Sequence, residues 1–129
     1  MEKQFYDKEL LYRGVLPIDG FWKEDGTISS AVFKTRPGED GISVDRQADR
    51  SPKEALLFAI SHLKGAMVTI TVQDVHDCGA EVIASPIIGG EEKPNEFHSI
   101  LVRNRESGKL TSGQSKHLSR VAHIVYRPE

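Results

Sequence analysis

The residues that most constrain this chain lie between Ser51 and Gln73, where a capped helical pattern gives way within a few residues to strand alternation. Ser51 carries the hydroxyl of an N-cap, Pro52 suits the first helical position, and Glu54 completes a capping box. Leu56, Ala59, Ile60 and Leu63 recur at helical spacing, Leu57 and Phe58 widen the stripe, and Gly65 supplies the stop after Lys64. Val68, Ile70 and Val72 then alternate with Thr69, Thr71 and Gln73, the period of a strand with one buried face. A helix with an apolar stripe joined so closely to such a strand covers a sheet.

The remaining segments extend that plan. Glu9 to Leu16, Ile28 to Lys34 and Gly41 to Arg46 read as strands, separated by Gly20, Gly26 and Pro37-Gly38. Further strands are expected near Ala80 to Ala84 and from Glu96 to Arg103, with an exposed, charged connection from Ile88 to Asn95. A last helix is expected from Ser112 to Tyr126, with Leu118, Val121, Ala122 and Val125 on one stripe, Thr111 or Ser112 as its cap and Pro128 as its stop. The order βββαβββα predicts one α+β domain over residues 1–129: a mostly antiparallel sheet of about five to six strands with two helices packed on one face. No internal repeat or linker-like tract divides the chain.

Composition narrows the function classes. Cys78 is the one cysteine, which excludes an internal disulfide and any multi-cysteine zinc site and fits a reducing compartment. The longest apolar run, Ala55 to Ile60, is far too short for a membrane span of about 20 residues, and Met1-Glu2-Lys3-Gln4 leads into no apolar signal region. A cytoplasmic location away from the membrane follows as the expectation. Net charge is −2 and aromatic residues are 7%, without the interleaving of aromatic and basic residues that nucleic-acid binding favours. The charge is nonetheless polarised. Asp74 to Glu96 carries six acids and one base, whereas Phe97 to Arg127 carries six bases and one acid. Such blocks mark a surface for a protein partner, or else face each other within the fold. The composition is equally compatible with a homo-oligomer.

Several residues are candidates for chemistry. From Ser107 to Lys116, glycine and hydroxyl residues lead into a helix start, where free backbone N–H groups and the helix dipole favour an anion. Lys109, Ser112 and Lys116 would bind it, with Arg103 and Arg105 just upstream, and a phosphate of a nucleotide or nucleic acid is the anion expected. Gly108-Lys109 lacks the upstream glycine of a phosphate-binding P-loop, and no cofactor fingerprint is present. His98, at the start of a strand after a charged loop, is the first choice for an acid or base if the chain is an enzyme, with Arg13, Arg103 and Arg105 as anion contacts. On an extended strand His76 and Cys78 would point the same way, and His98 from a neighbouring strand would complete a Cys-His pair or a partial metal set. The acidic surroundings disfavour a thiolate, and four zinc ligands are lacking. Asp45 and Asp49 are opposed as a cation site by the alternating Arg46 and Arg50, and charges at that strand end are expected to be solvated.

Leu11-Tyr12-Arg13-Gly14 followed by Ser29-Ser30-Ala31-Val32-Phe33 resembles, over fewer than ten residues, the first two landmarks of the ADP-ribosyltransferases. That resemblance implies an arginine and a serine motif on two strands holding NAD, and a later glutamate for the transfer, with Glu91, Glu92 and Glu96 the acids available. The gap from Arg13 to Ser29 is shorter than the family's intervening helix requires. A buried Arg13 bonded to an acid such as Asp45 is the alternative reading. The leading expectation is a binding module for a protein partner or an anionic ligand, and the alternative is a small enzyme acting on a nucleotide or nucleic-acid phosphate.

Overall fold

A computed structural model describes residues 4–90 and 93–128. Among these residues six strands form one sheet: β1 (Leu10–Val15), β2 (Ile42–Arg46), β3 (Ala66–Thr71), β4 (Glu81–Ala84), β5 (His98–Val102) and β6 (His123–Tyr126). The spatial order is β4-β5-β2-β1-β3-β6, and every neighbouring pair is antiparallel. Three α-helices accompany it, α1 (Pro52–His62), α2 (Val72–Asp77) and α3 (Ser112–Val121), with a 3-10 turn at Ser30–Phe33. No helix among the described residues is long and apolar enough to cross a membrane.

The strongest local signals carry through. Glu54 N–H donates to the Ser51 hydroxyl at 3.2 Å and Pro52 opens α1, although the Glu54 carboxylate accepts from that hydroxyl rather than from the Ser51 amide. A full capping box forms at α3, where Thr111 Oγ1 accepts from Gln114 N–H at 3.1 Å and Gln114 Oε1 from Thr111 N–H at 2.9 Å. Gly65, at φ +87°, turns the chain from α1 into β3, and its Cα lies so near the Val15 carbonyl that a Cβ would overlap it.

The two long helices, expected on one face, lie on opposite faces. Ala55 and Ala59 of α1 pack on Tyr12 and Met67, while Leu118 of α3 packs with Leu11, Val15 and Val68. Leu11 and Tyr12 are consecutive in β1, as Met67 and Val68 are in β3, so the two clusters occupy opposite sides of the pleat. Both faces of these central strands are apolar, and a sheet so patterned needs cover on each side.

Three local assignments are corrected. Ile28 to Lys34 contains a 3-10 turn, not a strand, because the Ser29 hydroxyl accepts from Ala31 N–H and places consecutive Val32 and Phe33 inward. The last helix ends at Val121, after which His123–Tyr126 pairs with β3 as an edge strand. Its Leu118/Val121/Ala122/Val125 spacing mimics a continued helix, but Ile124 and Tyr126 are the inward residues of the strand. His76 and Cys78 fall on α2 and its C-cap, where a capping box between Thr71 and Asp74 starts a helix directly after β3.

Candidate functional site

The anion-binding expectation centres on the approach to α3. Beyond β5 the chain turns tightly: Asn104 Oδ1 accepts from Glu106 N–H at 2.9 Å and Ser107 N–H at 2.8 Å. Leu110 N–H donates to Thr35 Oγ1 at 3.2 Å, and the Gln114 amide donates to the Cys78 and Arg103 carbonyls at 3.2 and 3.3 Å. Ser115 Oγ donates to the Phe33 carbonyl at 2.8 Å, locking α3 to the 3-10 turn. These bonds tie the helix start to three other segments, so what it presents is held in place.

A cleft of about 310 Å³ opens there, lined by Lys109, Leu110, Ser112 and Ser115 together with Ser30 and Lys34 from the 3-10 turn. In the first turn of α3 the Gln114 and Ser115 amides are taken by Thr111, whereas the Ser112 and Gly113 amides have no acceptor among the described residues. Two lysines and three serines thus line one cleft at the start of α3, with no carboxylate in the lining. Among the described residues none of Lys34, Arg103, Arg105, Lys109 and Lys116 is ion-paired. The polarised blocks of the sequence therefore do not neutralise each other through direct bridges at these side chains.

Of the residues expected to bind, Lys109 and Ser112 enter this cleft; Lys116 is exposed farther along α3. Arg103 is exposed on the turn, and Arg105 lines a separate cleft of about 350 Å³ beside β4 with Phe5 and Glu81. Lys34 and Ser30 escaped the sequence reading because a segment assigned as a strand carried no hint of this neighbourhood.

His98 and Arg13 do not meet. His98 Nδ1 lies 2.7 Å from the Ser85 carbonyl, and the residue sits opposite Asp45 on the α1 side of the sheet. Arg13 points to the α3 side, where Nε donates to the Val32 carbonyl at 3.1 Å and Nη1 to the Ser43 carbonyl at 2.9 Å. Burial lowers its pKa, with Glu39 acting in the opposite direction. Its partners are carbonyls rather than the Asp45 carboxylate that the sequence suggested. The residues that carry the ADP-ribosyltransferase resemblance bond to the backbone here: Arg13 donates to two carbonyls, and Ser29 caps the 3-10 turn while donating to the Gly20 carbonyl. Glu91 and Glu92 lie outside the described residues, and Glu96 is exposed.

Asp45 and Arg46 are buried rather than solvated. Arg46 grips Glu9 through two bonds, Nε to Oε2 at 2.7 Å and Nη2 to Oε1 at 2.9 Å, and Ala48 N–H donates to Oε2 at 2.8 Å. Asp45 Oδ1 accepts from Asn95 Nδ2 at 2.8 Å, while buried Oδ2 has no hydrogen-bond partner among the described residues. Burial raises the Asp45 carboxyl above the ordinary range, against the Asn95 hydrogen bond and the nearby His62, His98 and Arg50. Arg50 lies 3.5 Å over the Phe97 ring and donates to the Gln47 and Arg46 carbonyls.

The Cys-His idea also fails on geometry. Cys78 Sγ donates to the Val75 carbonyl at 3.2 Å, and burial raises its pKa. His76 Nε2 instead lies 3.7 Å from Glu81 Oε2. No group of three or more His, Cys, Asp or Glu side chains among the described residues is arranged to hold a metal. Comparison of the chain with protein-family models, curated proteins and solved structures returns no match.

Proposed function

We propose that this chain is a binding module for a small phosphate-bearing anion, whether free or presented by a protein partner, and that the cleft between the 3-10 turn and α3 receives it. The supporting observation is that Lys34 and Lys109 line one cleft with Ser30, Ser112 and Ser115 at the start of α3, with no lining carboxylate. Lysine acts here as a point charge, while the amides and the Ser30 and Ser112 hydroxyls supply directed donors. A cytoplasmic nucleotide is the first ligand class to try. The enzyme alternative draws less support, because its acid-base residue and Arg13 lie on opposite faces of the sheet.

Thermal melts with inorganic phosphate, AMP and ATP test the proposal. A ligand at 100 times its dissociation constant adds about 2.7 kcal/mol. The stabilisation should vanish in Lys34→Glu/Lys109→Glu and weaken with salt. A wild-type melt unmoved by all three compounds, or a shift retained in the double variant, refutes it.

A further inference from the structure

A second cleft, of about 420 Å³, lies on another part of the molecule, between the loop that follows β1 and the end of β6. Val15 and Ala66 lie buried beneath its floor, Trp22 and the exposed Ile18 bring apolar surface from the loop, and Asp19 and Arg127 bring opposite charges to the same space. The site is built rather than incidental. Trp22 Nε1 donates to the Leu16 carbonyl at 3.0 Å, and the Arg127 guanidinium carbon lies 5.2 Å from the centre of the Trp22 ring while Nη2 donates to the Gly26 carbonyl at 3.0 Å. Ile18 is 46% exposed, leaving apolar surface open to a ligand.

The charges are the informative part. Among the described residues neither Asp19 nor Arg127 is ion-paired, with each other or with any other group. A carboxylate and a guanidinium that share a cleft without bridging complement a molecule bearing both charges a short distance apart. Trp22 and the exposed Ile18 in the same lining favour a molecule with an apolar body as well. The volume falls in the lower part of the roughly 300–1,000 Å³ range of small-molecule sites.

We infer that this cleft binds a free α-amino acid with an apolar side chain. Its carboxylate faces Arg127, its ammonium faces Asp19, and its side chain packs on Trp22 and Ile18. The guanidinium keeps donors beyond the one committed to Gly26, and a charged hydrogen bond at each end is stronger than a neutral one. Removal of either ligand charge leaves one protein charge without its partner in the bound state, which gives selectivity for the zwitterion.

Trp22 is the single tryptophan of the chain, so its fluorescence reports this cleft directly. Titration with L-leucine should give a saturable change. Glycine, which lacks the apolar body, leucinamide, which stands for a peptide N-terminus, and N-acetyl-leucine, which stands for a C-terminus, should each bind at least tenfold more weakly. Arg127→Gln and Asp19→Asn should each weaken L-leucine at least tenfold, and Asp19→Asn, at an exposed side chain, should do so without moving the melting temperature. Lys34→Glu/Lys109→Glu should bind it normally, which separates this site from the anion cleft. The inference is overturned if calorimetry and fluorescence detect no binding of L-leucine, L-isoleucine or L-phenylalanine, if leucinamide or N-acetyl-leucine binds as well as L-leucine, or if both charge variants retain full affinity.

Discussion

Replacing Glu9 by glutamine probes the most heavily bonded polar group of the interior. The Glu9 side chain is fully buried, with 0% exposure, and Arg46 is only 5% exposed. One carboxylate oxygen accepts from Arg46 Nε and Ala48 N–H, and the other from Arg46 Nη2 and, at 3.4 Å, Tyr6 N–H. A glutamine of the same shape keeps one oxygen, and its NH2 must then face two donors. Two favourable contacts become donor against donor, and the pair loses its charge complementarity while the guanidinium stays in the interior. Breaking one partner of a buried pair costs about 3–5 kcal/mol. With an unfolding entropy of about 2.1 cal/mol/K per residue, that corresponds over this chain to a fall in melting temperature of about 11–18 °C. Urea titrations followed by circular dichroism, with Glu9→Leu/Arg46→Met as the doubly neutral comparison, measure it. A loss below about 1 kcal/mol would refute the reasoning, since it would mean that the carboxylate contributes no more than an exposed ion pair.

Two further outcomes are expected. Asp45 has a folded pKa raised by burial, so the native state binds its proton more tightly than the unfolded chain does, and its contribution to stability falls as pH rises above the unfolded value near 4. Asp45→Asn should therefore gain on the wild type as pH rises from about 4 in urea titrations, by about 1.4 kcal/mol for each pKa unit of displacement, and a pH-independent difference would contradict the assignment. Cys78, whose thiol is raised chiefly by burial and bonded to the Val75 carbonyl, should react with a disulfide reagent at neutral pH at least tenfold more slowly than free cysteine, and an equal rate would show the thiol to be open.

The sequence expresses those parts of the fold that are decided locally. Ser51, Pro52 and the turn at Gly65 delimit α1 because capping needs only neighbouring residues. β3 is legible because its alternation and the adjoining helix stop agree. β6 is not, since Leu118, Val121, Ala122 and Val125 satisfy a helical period equally well and the free edge of β3 decides the outcome. The side of the sheet each helix covers is likewise invisible until strand register sets Leu11 and Tyr12 apart. Lys109 and Ser112 were readable from the helix start beside them. Lys34 was not: it arrives through the packing of Phe33 and Ser115, 82 residues apart, and Asp19 meets Arg127 across nearly the whole chain.

The placement of β1 has a consequence for how the molecule comes together. This first strand lies between β2 and β3, and β2 is joined on its far side to β5, so the middle of the sheet contains no tight hairpin. Each central ladder requires closing a long stretch of backbone before its bonds form, and chains assembled through such remote pairings fold slowly for their size. β6, an edge strand held to β3 through a short ladder with a register shift, has bonds on one side only and belongs to the parts of the sheet that fray first.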